Sequence, residues 1–98
     1  MQANLKALES RQGGHPAISK YDEIAQILTG NKNALAQDGL TWVTELAREL
    51  NIPPLSMHGL TESRIPEAVE KTMKASSTKG NPIALNEVEL KEILERAL

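Results

Sequence analysis

Cysteine and phenylalanine are absent from this chain of 98 residues, which has one Trp and one Tyr. Without cysteine the chain has no disulfide, no thiolate nucleophile and no zinc site built on cysteine. Because aromatic side chains are so few, Leu, Ile, Val, Ala and Met must fill the interior, which favours packed helices over a sheet. The lack of cysteine is compatible with the cytoplasm, and we expect a cytoplasmic location.

The chain also lacks a large excess of charge of either sign and any long apolar run. The formal net charge is only −2, which argues against nucleic acid or an anionic membrane as a partner. No stretch approaches the ~20 apolar residues that a membrane-spanning helix requires. The first residues have no basic cluster followed by an apolar run, so no signal peptide is expected. At this length we expect a single helical domain, residues 1–98.

Apolar residues at helical spacing predict an all-α fold with about five helices and no strand. The predicted helices cover about residues 2–12, 16–29, 34–50, 66–75 and 86–98. Gly and Pro clusters separate them, and residues 52–60 and 76–82 are expected to be loops. In the third helix Gly39 is a weak point, because Gly costs about 1 kcal/mol relative to Ala inside a helix.

The last two helices contain pairs that support helix formation. Glu67 and Glu70 each precede a Lys by four residues, and this order stabilises an exposed helix face by ~0.2–0.5 kcal/mol per pair. Asn86 followed by Glu89 fits a capping box, with Asn in place of the usual Ser or Thr. These features predict helix starts near residues 66 and 86.

The two histidines, His15 and His58, are the only imidazoles. Each is expected in a loop. His15 has no second His or carboxylate three or four residues away, and Glu62 lies four residues after His58 but in a loop, where this spacing does not place two metal ligands on one helix face. We therefore expect surface or capping roles for both. Gly13-Gly14 matches neither phosphate-binding glycine pattern and is expected to end the first helix.

The segment Ser76–Gly80 combines hydroxyls, a cation and a glycine, and it allows two interpretations. It could contact a small polar ligand. Alternatively it caps the preceding helix, with the hydroxyls and Lys79 near the last carbonyls and Gly80 at a positive φ angle.

Five short patterns, taken in order, resemble the C-terminal part of the iron-containing alcohol dehydrogenases. The segment KYDEIA at residues 20–25 is similar to the family's "-KY-EIA-" helix, and residues 38–53 resemble its next helix and "-L-IP-" stop. GLTE at residues 59–62 with Ile65-Pro66 is similar to "-G-TE-DIP-". Asn81-Pro82 before the last helix resembles "-NPR-LT-EDI-", although Ile83 replaces the Arg. MQAN at residues 1–4 resembles "-VM--N-", which follows the metal site.

The resemblance implies the helical domain of a dehydroquinate-synthase-like, iron-containing alcohol dehydrogenase. Such an enzyme binds NAD or NADP on a first domain, and an Asp and three His of a helical domain hold Fe²⁺ or Zn²⁺, which polarises the substrate oxygen during hydride transfer. Neither His15 nor His58 matches a ligand position, so the resemblance assigns no catalytic, cofactor or metal residue here. It does place Ser77 at the edge of the substrate cleft.

The resulting prediction is a C-terminal structural fragment of such an enzyme, inert alone and needing no cofactor of its own. The alternatives are an independent helical interaction module and, less favoured by the ligand count, a self-contained metalloenzyme. Because the third and fifth helices carry more apolar face than five short helices can cover, we expect a homo-oligomer. The contact is expected to use Leu40, Val43, Leu90, Ile93 or Leu94.

Overall fold

The computed structural model describes all residues Met1–Leu98 and contains five α-helices and no strand. This confirms the predicted all-helical class. The helices are α1 (Gln2–Arg11), α2 (Pro16–Thr29), α3 (Ala36–Glu49), α4 (Ile65–Lys74) and α5 (Glu87–Ala97). Both segments expected to be loops contain short 3₁₀ helices, and so does the approach to α4; these are Leu55–His58, Ser76–Gly80 and Glu62–Arg64.

The chain forms two compact units, Met1–Ile52 with α1 to α3 and Pro53–Leu98 with α4 and α5. The single domain expected over residues 1–98 stays a prediction. None of the helices has both the length and the hydropathy that crossing a bilayer demands.

In the first unit, small side chains let α2 and α3 pack closely. A Cβ placed on Gly39 would lie 2.8 Å from the Cβ of Ala25, a distance that real Cβ atoms do not tolerate. Ala25 is fully buried and Gly39 is buried beside it. Gly39 is therefore not a defect in α3, because its missing side chain is what allows the two backbones to approach.

A carboxylate on α2 fixes the start of α3. Asp22 Oδ1 accepts a hydrogen bond from the backbone N–H of Ala36 at 2.7 Å, and Asp38 Oδ2 accepts one from the N–H of Leu35 at 2.9 Å. These two acceptors satisfy N–H groups that a helix start leaves without partners. They explain why α3 begins at Ala36 rather than near residue 34.

In the second unit, α4 and α5 share one apolar cluster. Ile65, Val69 and Leu90 are buried in it, and the partly buried side chains packed against them are Leu60, Leu85, Leu94 and Leu98. Asn86 accepts a hydrogen bond from the N–H of Glu89 while Glu89 accepts one from the N–H of Asn86, both at 2.9 Å. The predicted capping box is therefore confirmed.

The side chains expected to contribute to a homo-oligomer differ in their exposure. Leu90 is only 7% exposed and belongs to the shared cluster of α4 and α5, so it is not available to a partner. Val43 and Ile93 each expose 38% of their surface, and Leu40 and Leu94 are partly buried. The expected homo-oligomer stays a prediction.

Candidate functional site

The segment that follows α4 forms one wall of an open cleft in the second unit. The cleft has a volume of about 390 Å³, and its lining includes Ser77, Thr78, Asn81, Leu85 and Leu90. The 3₁₀ helix Ser76–Gly80 supplies the polar wall, while Leu85 and the buried Leu90 supply the apolar one. Ser77 is exposed to solvent at this wall. The cleft therefore offers a hydroxyl beside an apolar surface, which suits a small molecule with one polar end.

Hydrogen bonds within this segment hold its backbone in place. Thr78 Oγ1 donates to the carbonyl oxygen of Thr72 in the last turn of α4 at 2.7 Å. Asn81 Nδ2 donates to the carbonyl oxygen of Ile83 at 2.6 Å. The capping interpretation is confirmed for the Thr78 hydroxyl.

The predicted role of Gly80 is wrong. The glycines with positive φ are Gly30 and Gly59, and Gly80 is not among them. The reason is that Ala75, with ψ of 131°, already takes the chain out of the helix in an extended conformation, so no left-handed residue is needed at position 80.

His15 caps a helix. Its Nδ1 accepts a hydrogen bond from the backbone N–H of Ala17 at 3.0 Å, at the start of α2, and Pro16 occupies the first turn. One of the two ring nitrogens that could hold a metal is therefore used by the backbone. This agrees with the predicted capping role.

His58 lies beside a small group of charged side chains. It lines a pocket of about 240 Å³ together with Arg64, Glu67 and Lys71. The hydrogen bond and positive charge of Lys71, and then the charge of Arg64, hold the pKa of Glu67 below its ordinary value. The single carboxylate of this pocket is already paired with Lys71 at 2.5 Å, and with Arg64 also in the lining the cations outnumber the carboxylates.

No metal centre is assembled from these residues. His15 and His58 belong to different units, and no group of three or more His, Asp or Glu side chains could hold a metal ion. A bound Fe²⁺ or Zn²⁺ needs at least three such ligands converging on one point. The residues of this chain do not fit the metal site that the resemblance implies for the whole enzyme.

A second open groove was missed by the sequence analysis. It lies between α4 and α5, has a volume of about 490 Å³, and is lined by Pro66, Val69, Glu70, Glu87, Val88 and Lys91. The available signal was Val88, an apolar residue outside the Leu90–Leu94 face of the last helix. Asp22 was also missed, because its contact with Ala36 spans 14 residues and leaves no local pattern.

Comparison with known proteins gives one match. The family model described as "Fe-containing alcohol dehydrogenase family, C-terminal" matches residues 3–98. No curated protein and no solved structure matches the chain.

Proposed function

Because this chain belongs to the iron-containing alcohol dehydrogenase family and matches its C-terminal part, we propose that it serves as a structural segment of such an enzyme. The match over residues 3–98 carries the proposal. In the whole enzyme, NAD or NADP would accept a hydride from an alcohol held on the metal. The helices described above would close one side of the helical domain that holds this metal.

The proposal assigns no step of the reaction to this chain. No side chain cluster fits a metal ion, and neither glycine pattern of a phosphate-binding loop occurs in the sequence. Residues elsewhere in the enzyme would therefore bind the nucleotide and the metal. The isolated chain is proposed to be inert, and its location is proposed to be cytoplasmic like that of a soluble metabolic enzyme.

Ser77 is proposed as a residue at the edge of the substrate cleft. Its position on the wall of the 390 Å³ cleft supports this role, because the exposed Ser77 and the apolar Leu85 both line that cleft. A hydroxyl in such a place would orient the polar end of an alcohol or aldehyde while Leu85 contacts its carbon chain.

A chimaera tests both parts of the proposal. The matching segment of an active iron-containing alcohol dehydrogenase is replaced by residues 3–98, and metal content, NAD(H) binding and alcohol oxidation are measured. We expect the chimaera to retain its metal and its activity, while the same enzyme without the segment loses both. A chimaera that binds NAD(H) normally on its first domain but holds no metal would contradict the structural role.

Neighbouring serines provide a matched pair for the cleft. Ser77→Val in the chimaera should raise KM for the alcohol with little change in kcat, because the hydroxyl contributes to binding. Ser76→Val is the control, since Ser76 is exposed in the same 3₁₀ helix and does not line the cleft. Equal KM values for the two variants would show that Ser77 does not take part in substrate binding.

An independent interaction module remains the second candidate, and one observation favours it. On α3, Val43 and Leu46 expose 38% and 37% of their surface, and Leu50, the residue directly after this helix, exposes 64%. Spaced by three and four residues, they form one apolar stripe that a partner helix could cover. In the proposed enzyme the rest of the helical domain covers this stripe, so a chimaera that does not restore the metal favours the module.

A further inference from the structure

The groove between α4 and α5 exposes an apolar side chain that the core does not use. Val88 is 65% exposed and lies beside the groove, whereas Val69 on the opposite wall is buried. Residue 88 does not share a helix face with Leu90 and Leu94, which pack against α4. Burying Val88 against the apolar part of a partner's groove would remove both surfaces from water.

The charges along this groove have both signs. Glu87 and Lys91 are one turn apart and therefore lie on the same edge of α5, and Glu70 lines the wall contributed by α4. Lys91 Nζ is 3.4 Å from Glu95, and the side chains of both residues are well exposed. An acidic partner would meet Glu70 and Glu87, and a basic partner would meet Lys91. The groove therefore favours a partner that also carries both signs in register.

A second copy of this chain has that charge pattern. When two α5 helices run antiparallel about a two-fold axis level with Glu89, Glu87 of each copy lies opposite Lys91 of the other. A two-fold contact requires this kind of self-complementary patch, in which each pairing occurs twice. The same arrangement brings Val88 of each copy towards the groove of the other.

We propose that the α4–α5 groove is a homotypic interface, occupied by α5 of a second copy in antiparallel orientation. The pair is held by Val88 entering the partner groove and by two Glu87–Lys91 contacts related by the two-fold axis. This interface does not depend on the proposed function, because its test measures molecular mass and involves no metal, nucleotide or catalysis.

Charge exchange tests the register. Sedimentation equilibrium at micromolar concentration should show a mass above one chain for the unmodified protein. Either E87K or K91E places like charges opposite each other twice. Each should therefore raise the dissociation constant about tenfold. The double variant E87K/K91E restores opposite charges and the original net charge, and it should recover most of the association. K79E is the control for K91E, because it makes the same change in net charge on an exposed residue outside the groove.

Val88→Glu should abolish association, because it places a charge against the apolar wall of the partner groove. Far-UV circular dichroism of each variant checks that the helices are retained. A mass of one chain for the unmodified protein overturns the proposal and indicates that another part of a longer enzyme covers the groove. A dissociation constant that neither single charge reversal changes, or that the double variant does not restore, overturns the proposed register.

Discussion

At the scale of single residues, Gly39 shows how close packing reverses a local preference. Alanine favours a helix over glycine by about 1 kcal/mol, so the sequence alone predicts that Gly39→Ala stabilises α3. In the structure the new Cβ would lie 2.8 Å from the Cβ of Ala25. We expect this substitution to destabilise the chain by ~1–3 kcal/mol, because the two helices must separate.

Urea denaturation followed by circular dichroism measures this change, and Gly80→Ala is the control. A Cβ at Gly80 meets no atom within 4 Å. The unfolding midpoint of the Gly80→Ala variant should therefore stay close to that of the unmodified chain. A higher midpoint for Gly39→Ala would show that α2 and α3 do not approach as closely as described.

Asp22 is the second residue whose role comes from tertiary structure. Its carboxylate accepts the N–H of Ala36 at 2.7 Å, so Asp22→Ala removes a capping acceptor and should cost about 1 kcal/mol of unfolding free energy. Asp22→Asn keeps an oxygen in the same place and should cost less than half as much. Equal losses in the two variants, measured by the same urea method, would show that the hydrogen bond to Ala36 is not the stabilising contact.

At the scale of elements, the Glu67–Lys71 pair on α4 gives a prediction about pH. The hydrogen bond and charge of Lys71, followed by the charge of Arg64, hold the pKa of Glu67 below its ordinary value. Because the folded-state pKa is the lower one, the pair stabilises the fold fully above the unfolded-state pKa. That stabilisation is lost as the pH falls through the folded-state pKa. The contribution is small, since both side chains are exposed.

A titration of the Glu67 carboxyl group by NMR tests this pairing directly. Lys71→Gln should raise the pKa of Glu67, because it removes the main cause of the depression. Lys74→Gln is the matched control, since Lys74 contacts Glu70 at 2.6 Å. If both variants raise the pKa of Glu67 equally, its depression reflects the overall positive charge of α4 and not the specific pairing of Glu67 with Lys71.

The helices themselves were predictable because their determinants are local. The spacing of apolar residues, the Gly and Pro stops and the Asn86–Glu89 box all act within a few residues, and the structure confirms the five helices. The 3₁₀ helices were not predicted, because segments such as Leu55–His58 are too short to show an apolar period. The Asp22 contact and the reason for Gly39 were not predictable either, since both depend on how α2 meets α3.

The candidate site was predictable only where a resemblance could be used. Ser77 was placed at a cleft edge by its position relative to the family pattern, and the structure places it on the wall of an open cleft. Its substrate role stays a proposal. The positive φ angle expected at Gly80 was wrong, because the exit from α4 already takes place at Ala75.

At the scale of the whole molecule, family membership and local chemistry give different answers about catalysis. The chain matches the C-terminal part of a metal-dependent enzyme family over residues 3–98, yet its own side chains form no group that fits a metal ion. Both observations agree if the chain contributes packed helices and a cleft wall, while the nucleotide and metal sites belong to other parts of the enzyme.

The metal and nucleotide content of the isolated chain tests this account most directly. The purified chain is loaded with Fe²⁺ or Zn²⁺, dialysed and assayed by elemental analysis, and NADH binding is followed by calorimetry. A His15→Ala/His58→Ala variant controls for loose binding to the imidazoles. The account predicts far less than one metal ion per chain and no heat of NADH binding. One equivalent of tightly held metal, lost in the double variant, would contradict it and would identify a metal site at the two histidines.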